Sequence, residues 1–214
     1  MILAIDTCLG AAAVAVIDGE RVLASLSEPM TRGHQERIGV IAEQAMTRAG
    51  VAFSALTRIG VTIGPGSFTG LRVGLAFAKG LGVALDIPCV GVGSLAALAA
   101  SVGDGGGGGF TVAAVDARKD QLYVQIFDGP TALMAPDVLP VETVAARMAE
   151  LYGGQPVCIV GSGAPLLDGI IAGARLIPLA APDPVAVARL AARARLVAPR
   201  PLYLRPPYAN MAAV

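Results

Sequence analysis

The sequence has no tryptophan, one histidine and three cysteines, and its charges cancel. With His34 as the one imidazole, a metal site built from several histidines is excluded. Cys8, Cys89 and Cys158 lie far apart in hydrophobic stretches, which is typical of reduced, buried thiols rather than of a disulfide framework. Lys and Arg together number 16, as do Asp and Glu. The chain therefore lacks the basic excess that a dedicated nucleic-acid-binding protein usually carries.

Long hydrophobic runs are also missing. The longest uncharged stretch, residues 87–103, is interrupted by a proline, several glycines and two serines, so it does not match a membrane span. The apolar start ends at Asp6 and no basic segment precedes it, which does not match a signal peptide. Hydrophobic residues nevertheless make up 55% of the chain, enough for one domain or two small lobes. We expect a soluble cytoplasmic protein with no membrane contact.

A run of glycines between Ser101 and Phe110 divides the sequence into two halves of similar length. Such a run favours a flexible connection over a packed element. We therefore expect an N-terminal lobe at 1–103, a connection at 104–109 and a C-terminal lobe at 110–214.

The two halves begin alike. In each, an apolar strand ends in an aspartate, Asp6 or Asp116, and a second apolar strand ends in Asp-Gly, at 18–19 or 128–129. The matching positions of the two halves are all separated by the same number of residues, which favours an internal duplication. The alternative is that β-hairpins resemble one another by composition.

The apolar pattern predicts a mixed sheet flanked by helices in each half. Asp18-Gly19 is a strong hairpin signal, and apolar residues at helical spacing from His34 to Ala49 precede Gly50, a typical helix-ending residue. Two such lobes suggest a duplicated actin-like architecture with a cleft between them. The other predicted elements are strands at 59–63, 88–92, 112–115, 122–127, 132–134 and 157–160, and helices at 68–85, from 94, at 141–151 and at 185–196.

The segment from Gly64 to Gly74, GPGSFTGLRVG, joins a predicted strand to the second helix. Ser67 is placed to cap that helix, but the spacing matches neither a P-loop nor a nucleophile elbow. Small residues then recur every fourth position, although each interior glycine costs about 1 kcal/mol of helix stability. A closely packed helix would offset that cost; it would belong either to the same lobe, as its first helix, or to another subunit. The stripe comprises Gly66, Gly70, Gly74, Ala78 and Gly82.

Four segments together resemble the TsaB (YeaZ) family, a paralogue of the actin-like transferase TsaD. They are residues 64–72, Ala4–Thr7, Asp116–Arg118 and Tyr203–Arg205, and the resemblance extends over nearly the whole chain. It implies an α/β, duplicated actin-like (ASKHA, ribonuclease H-like) fold of two lobes with mixed sheets. It also implies an accessory subunit that binds and activates a TsaD-type transferase, with the ATPase TsaE, in threonylcarbamoyladenosine (t6A) modification of tRNA.

The resemblance implies no independent catalysis and no peptidase chemistry. Catalytic relatives hold a metal with a His-x-x-x-His pair, whereas here His34 is followed at that spacing by Ile38. We therefore expect no metal, and we expect His34 to be an exposed or capping residue. The competing hypothesis is a nucleotide-dependent kinase or hydrolase of the same fold.

The family's dimer contact uses the first two helices, which include the stripe of small residues. We therefore expect these helices to bind the TsaD-type paralogue, or a second copy when the chain is alone. A bulky residue at Gly74 should then abolish the complex and leave the fold intact. The candidate partner-binding residues are His34, Arg37, Ile41, Gly70, Arg72, Gly74, Phe77 and Ala78.

The cleft is a candidate for a vestigial nucleotide site. In ATP-binding relatives, hairpins after the first strand of each lobe hold the phosphates, but Cys8-Leu9 replaces the polar turn here. We expect no tightly bound cofactor, with ATP bound only in the complex. Asp6 and Asp116 would either act together as acid and base or cap strand ends. The candidate residues are Asp6, Thr7, Asp116, Arg118, Gly161 and Gly163.

The end of the chain is rich in arginine. No acidic residue follows Asp183, so this region either contacts tRNA phosphates within a larger complex or forms a solvated helix face. Several prolines predict an extended tail that packs back on the first lobe. The arginines are Arg189, Arg193, Arg195, Arg200 and Arg205.

Overall fold

Each half of the chain builds one mixed β-sheet. The first contains β1 (Ile2–Asp6), β2 (Ala11–Asp18), β3 (Arg21–Pro29), β4 (Arg58–Thr62) and β5 (Cys89–Val92), in the order β3-β2-β1-β4-β5. The computed structural model describes residues 1–103, 109–151 and 156–205. Most of the predicted connection at 104–109 therefore lies outside the described residues.

The second sheet has the order β11-β10-β6-β7-β8, and β9 also pairs with β7. Its strands are β6 (Phe110–Asp116), β7 (Gln121–Asp128), β8 (Thr131–Ala132), β9 (Asp137–Pro140), β10 (Val157–Val160) and β11 (Arg175–Ile177).

The two sheets confirm the duplication at the level of the fold. In each, the first strand pairs antiparallel with the next strand of its hairpin and parallel with a later strand: β1 with β2 and β4, and β6 with β7 and β10. Asp6 and Asp116 end the two equivalent central strands, and each carboxylate accepts a backbone N–H two residues later. The shared offset in the sequence thus reflects a repeated unit.

The first two helices lie where the sequence predicts them. α1 covers His34–Ala49, and Gly50 follows it with a left-handed φ of 67°. α2 covers Phe68–Leu85, and the hydroxyl of Ser67 accepts a hydrogen bond from the Gly70 N–H. The remaining helices are α3 (Ser94–Ser101), α4 (Val141–Leu151) and α5 (Pro184–Arg193).

Helices cover both faces of each sheet, and the two halves share some of them. α1 and α2 pack on one face of the first sheet, while α3 and α5 pack on the other. α3 also packs on the second sheet, whose opposite face is covered by α4. α5 comes from the second half of the sequence but packs on the first sheet, so the two halves interlock. The division of the lobes at 104–109 stays a prediction.

Several elements of the second half differ from their predictions. The expected strand at 132–134 is a two-residue β8, and the sequence analysis did not predict β9 or β11. α5 ends at Arg193 rather than at residue 196, and the Arg58 guanidinium donates to the carbonyls of Ala191 and Ala192 at that end. A cation from the first sheet thus satisfies carbonyls that have no intrahelical partner.

By length and composition alone, α2 is the one helix among the described residues that could cross a membrane. In this fold its small residues pack on the first sheet, and its other face carries Arg72 and Lys79. α2 is therefore a helix of the layered α/β structure.

Candidate functional site

A cleft of about 650 Å³ opens between the two halves. The β1–β2 turn and the start of α2 line it from the first half, and the β6–β7 turn lines it from the second. The end of the described chain, residues 202–205, completes the wall. The cleft therefore lies where the duplicated fold predicts it.

Asp6 belongs to the core and is fully buried. One of its oxygens accepts the Thr62 hydroxyl at 2.6 Å and the Cys8 N–H at 3.1 Å. The other, Oδ2, has no hydrogen-bond partner among the described residues. Burial raises the pKa of Asp6 to about 6, against the opposing effect of the two hydrogen bonds. The carboxyl thus holds the turn that follows β1.

In the turn between β1 and β2, several hydrogen-bond donors bind other groups of the same chain. The Cys8 N–H donates to the Asp6 carboxylate, and the Gly10 N–H donates to the Ala180 carbonyl at 2.9 Å. The Thr7 hydroxyl donates to the Gly70 carbonyl at 2.7 Å. Burial, and secondarily the charge of Asp6, raises the pKa of the Cys8 thiol to about 12, so this thiol is not a nucleophile. Few donors of this turn remain for a phosphate.

The second turn places Asp116 on the exposed wall of the cleft. Its carboxylate accepts the Arg118 N–H at 2.7 Å. Residues 118–120 all adopt positive φ between 53° and 64°, although none is glycine, a conformation that costs about 1 kcal/mol or more for each such residue. Asp116 faces solvent while Asp6 is enclosed, which favours the strand-end capping role of these two carboxylates over an acid–base pair.

Gly161 and Gly163 have a packing role. A side chain at Gly161, which has a φ of 116°, would overlap the backbone of Ala114. A side chain at Gly163 would overlap the Leu122 side chain and press against the Ala114 backbone. Their N–H groups donate to the carbonyls of Ile177 and Ala114. The turn between them is therefore pressed against β6, and these two donors are already satisfied.

His34 is placed differently from its prediction. It is 6% exposed and lines the cleft, and its Nε2 has no hydrogen-bond partner among the described residues. The prediction of an exposed or capping histidine is wrong, because the first turn of α1 faces the cleft wall. No group of three or more potential metal ligands occurs among the described residues.

The stripe of small residues on α2 packs on the sheet below it. A side chain at Gly70 would overlap the Thr7 carbonyl, and one at Gly74 would overlap the Thr7 hydroxyl. Neither predicted helical partner fits this face, because the end of β1 occupies it. The prediction that a bulky residue at Gly74 leaves the fold intact is therefore wrong.

Besides His34, four of the predicted partner-binding residues are buried inside this chain. Ile41 and Ala78 are 0% exposed, and Gly70 and Gly74 are buried as well. The prediction that these four face a partner is wrong, because they form the inner side of α1 and α2. Arg37 is partly exposed and its guanidinium donates twice to Glu28, at 2.9 and 2.6 Å.

An apolar groove of about 500 Å³ runs between the outer sides of α1 and α2. It includes the two remaining predicted residues, Arg72 and Phe77. The sequence analysis considered the small residues of α2 and did not identify the adjacent outward-facing residues of this helix, which recur at the same four-residue spacing. The groove is lined by Gln35, Ile38, Phe68, Thr69, Arg72, Val73, Ala76 and Phe77.

The end of the described chain packs on the first half, as predicted. The Leu202 N–H donates to the Ile63 carbonyl at 2.8 Å. The Tyr203 ring lies 5.2 Å from the Phe68 ring, and its hydroxyl accepts from Arg72 Nε at 3.3 Å. Arg205 reaches the second half and donates to the Ala117 carbonyl at 2.7 Å. We call residues 199–205 the C-terminal strap.

Comparison with known proteins places this geometry in a family. Residues 23–135 match the family model of TsaD, tRNA N6-adenosine threonylcarbamoyltransferase. The solved structure of YeaZ from Pseudomonas aeruginosa is 30% identical, with 95% of this chain and 99% of that chain covered and a TM-score of 0.82. The chain belongs to the TsaB (YeaZ) family. No curated protein matches the sequence.

Other solved structures agree with the TsaB family and its fold. A protein described as similar to the peptidase YeaZ from Pseudomonas aeruginosa is 29% identical, covers 95% of this chain and 99% of its own, and has a TM-score of 0.84. The ROK hexokinase of Thermus thermophilus is 15% identical over 90% of this chain and 98% of its own, with a TM-score of 0.55. At that identity the hexokinase shows the fold alone. The duplicated actin-like fold is confirmed.

Proposed function

We propose that this TsaB-family chain is an accessory subunit that binds and activates a TsaD-type transferase in t6A modification of tRNA. The match of residues 23–135 to the TsaD family supports the reaction context. The observation that carries the accessory role is the apolar groove between α1 and α2, which no part of the described chain fills.

Each of the two helices also exposes a large apolar side chain. Val40 on α1 is 39% exposed, and Val83 on α2 is 83% exposed. Ala76 is exposed in the groove lining, and Phe77 lies over Gly39. An unfilled apolar groove between two adjacent helices is typical of a face that packs against another protein. A TsaD-type paralogue, which the family relationship suggests, would cover it with helices of its own.

The cleft supports a subunit without chemistry of its own. In the first turn, two backbone N–H groups and the Thr7 hydroxyl are already engaged within the chain. At the second turn, the Arg118 N–H is engaged by Asp116. A phosphate bound by these particular groups would have to displace those bonds, at a cost of about 1 kcal/mol or more for each.

The proposal extends to the wider assembly. A TsaE-type ATPase would join the pair, ATP would be bound in the complex, and tRNA would be reached through it. The complex would act in the cytoplasm. When the paralogue is absent, the same two helices would form a homodimer.

Matched variants on two helices test the groove. Ala76→Arg places a charge in the groove, whereas Ala146→Arg makes the same change on the exposed side of α4. Calorimetry with the TsaD-type paralogue of the same organism should show at least about a tenfold weaker association for the first variant, because an unpaired charge is expensive to bury. Binding by Ala146→Arg should match the unmodified chain. Equal binding by all three proteins would refute the groove as the partner site.

A further inference from the structure

The charged end of the groove is held by three side chains in mutual contact. The Arg72 guanidinium lies over the Phe68 ring, 3.8 Å from its centre. Tyr203 from the C-terminal strap lies against the same ring and accepts a hydrogen bond from Arg72 Nε. Stacking and the hydrogen bond together fix the plane of the guanidinium.

This arrangement leaves most of the guanidinium free to bind. Of its five N–H donors, one is used by Tyr203. No carboxylate or carbonyl within residues 1–103, 109–151 and 156–205 accepts the others. They form the outer edge of a fork whose shape matches a carboxylate.

The groove itself supplies no negative charge. Its lining contains one cation, Arg72, and no aspartate or glutamate. The nearby Glu28 is engaged by Arg37. An apolar groove with one unmatched cation at its end fits a helix that carries an apolar stripe and one acidic residue beside it.

A second copy of this chain fits the groove less well. A symmetric dimer places the same groove against itself, and the opposing groove lining would offer Arg72 no acid. Charge complementarity therefore favours a different protein as the occupant.

We propose that Arg72 is a charged anchor for a carboxylate on the partner helix, and that Tyr203 is a positioning residue that orients it. This inference rests on the proposed function, because it names the partner chemistry of the same groove. The strap is tied to both halves, through Ile63 and Ala117. It therefore joins the anchor to both halves of the chain.

The test compares two cations on one helix. Arg72→Met removes the anchor, and Lys79→Met removes an exposed charge of α2 outside the groove lining. Binding of the TsaD-type paralogue is measured by calorimetry at low and high salt. Arg72→Met should bind at least about tenfold more weakly and lose most of the salt dependence, while Lys79→Met should bind like the unmodified chain.

The positioning role has its own measurement. Tyr203→Phe keeps the ring and removes the hydroxyl, and it should weaken binding about threefold. The double variant with Arg72→Met should bind no more weakly than Arg72→Met alone, because Tyr203 acts through Arg72. Additive losses would mean that Tyr203 contacts the partner itself, which overturns the positioning role.

The outcomes separate this inference from the proposed function. Normal, equally salt-dependent binding by Arg72→Met, with binding abolished by Ala76→Arg, would overturn the anchor and leave the groove as the partner site. Normal binding by both variants would refute the proposed function as well. A loss of self-association with the heteromeric complex intact would assign Arg72 to a homodimer and overturn the inference.

Discussion

Gly74 and Gly80 lie on different faces of α2, so the same substitution should have opposite effects on stability. A methyl group at Gly80 would meet no atom within 4 Å. Gly80→Ala should therefore stabilise the protein by about 0.5 to 1 kcal/mol through helix propensity alone. For a chain of this length that corresponds to a rise of roughly 1 to 4 °C in Tm.

A methyl group at Gly74 would overlap the Thr7 hydroxyl, which donates to the Gly70 carbonyl. Relieving the overlap would break that buried hydrogen bond, at a cost of about 1 to 1.5 kcal/mol. Overpacking adds about 1 to 3 kcal/mol, and the gain in helix propensity offsets about 1 kcal/mol. We expect Gly74→Ala to destabilise the protein by about 1 to 3.5 kcal/mol.

Denaturant unfolding of the single variants Gly74→Ala, Gly80→Ala and Thr7→Ala, and of the double variant with Thr7→Ala and Gly74→Ala, tests this reasoning. Thr7→Ala removes the overlapping oxygen, so combining it with Gly74→Ala should cost less than the sum of the two single changes. A Gly74→Ala protein as stable as Gly80→Ala would refute the packing of this stripe on β1. If the losses of stability in the double variant were strictly additive, the Thr7 hydroxyl would not be the group that Gly74→Ala displaces.

The remaining predictions concern the buried polar groups and the cleft. Burial raises the pKa of Asp6 to about 6 from 3.8, so the free energy of unfolding should fall as the pH rises through this range. Measured against pH, the fall should be up to about 3 kcal/mol larger in the unmodified chain than in Asp6→Asn. His34→Leu removes a buried unpartnered nitrogen and should leave Tm unchanged or raised; a loss above about 2 kcal/mol would reveal a hydrogen-bond partner outside the described chain. Calorimetry with ATP and magnesium on the isolated chain should show no micromolar binding; micromolar binding that Asp116→Ala abolishes would favour the kinase or hydrolase hypothesis.

Local signals predicted the first half of the fold well. α1 and α2 have the predicted bounds, because Gly50 and Ser67 mark their ends with specific backbone and side-chain hydrogen bonds. The Asp18-Gly19 hairpin forms for the same kind of reason, with Gly19 at a φ of 58°. Signals of this type depend on a few neighbouring residues, so they can be interpreted without knowledge of the fold.

Longer-range packing was not accessible from the sequence. The four-residue period of Gly70, Gly74 and Ala78 correctly indicated close approach, but it could not tell a strand from a helix as the neighbour. Arg58, which caps the end of α5, lies far away in the sequence, so no local pattern carried the information on this contact. Short strands such as β11, with three residues, have too little periodicity to stand out.

For the candidate site, too, local signals were informative and longer-range packing was not accessible from the sequence. The family resemblance indicated α1 and α2 as the binding helices. The small residues of α2, however, suggested the side of this helix that is buried. The outward rows, which include Phe68 and Val73, become visible only when the sheet is seen to cover the other side. The contribution of Tyr203 could not be foreseen, because its partners are more than a hundred residues away.

The central claim is that this chain acts by binding a TsaD-type paralogue through α1 and α2. Size-exclusion chromatography with light scattering, on the chain alone and mixed with that paralogue, tests it most directly. The account predicts a stoichiometric heteromer that Ala76→Arg prevents and Ala146→Arg does not. The absence of a heteromer, also with a TsaE-type ATPase and ATP present, would contradict the account.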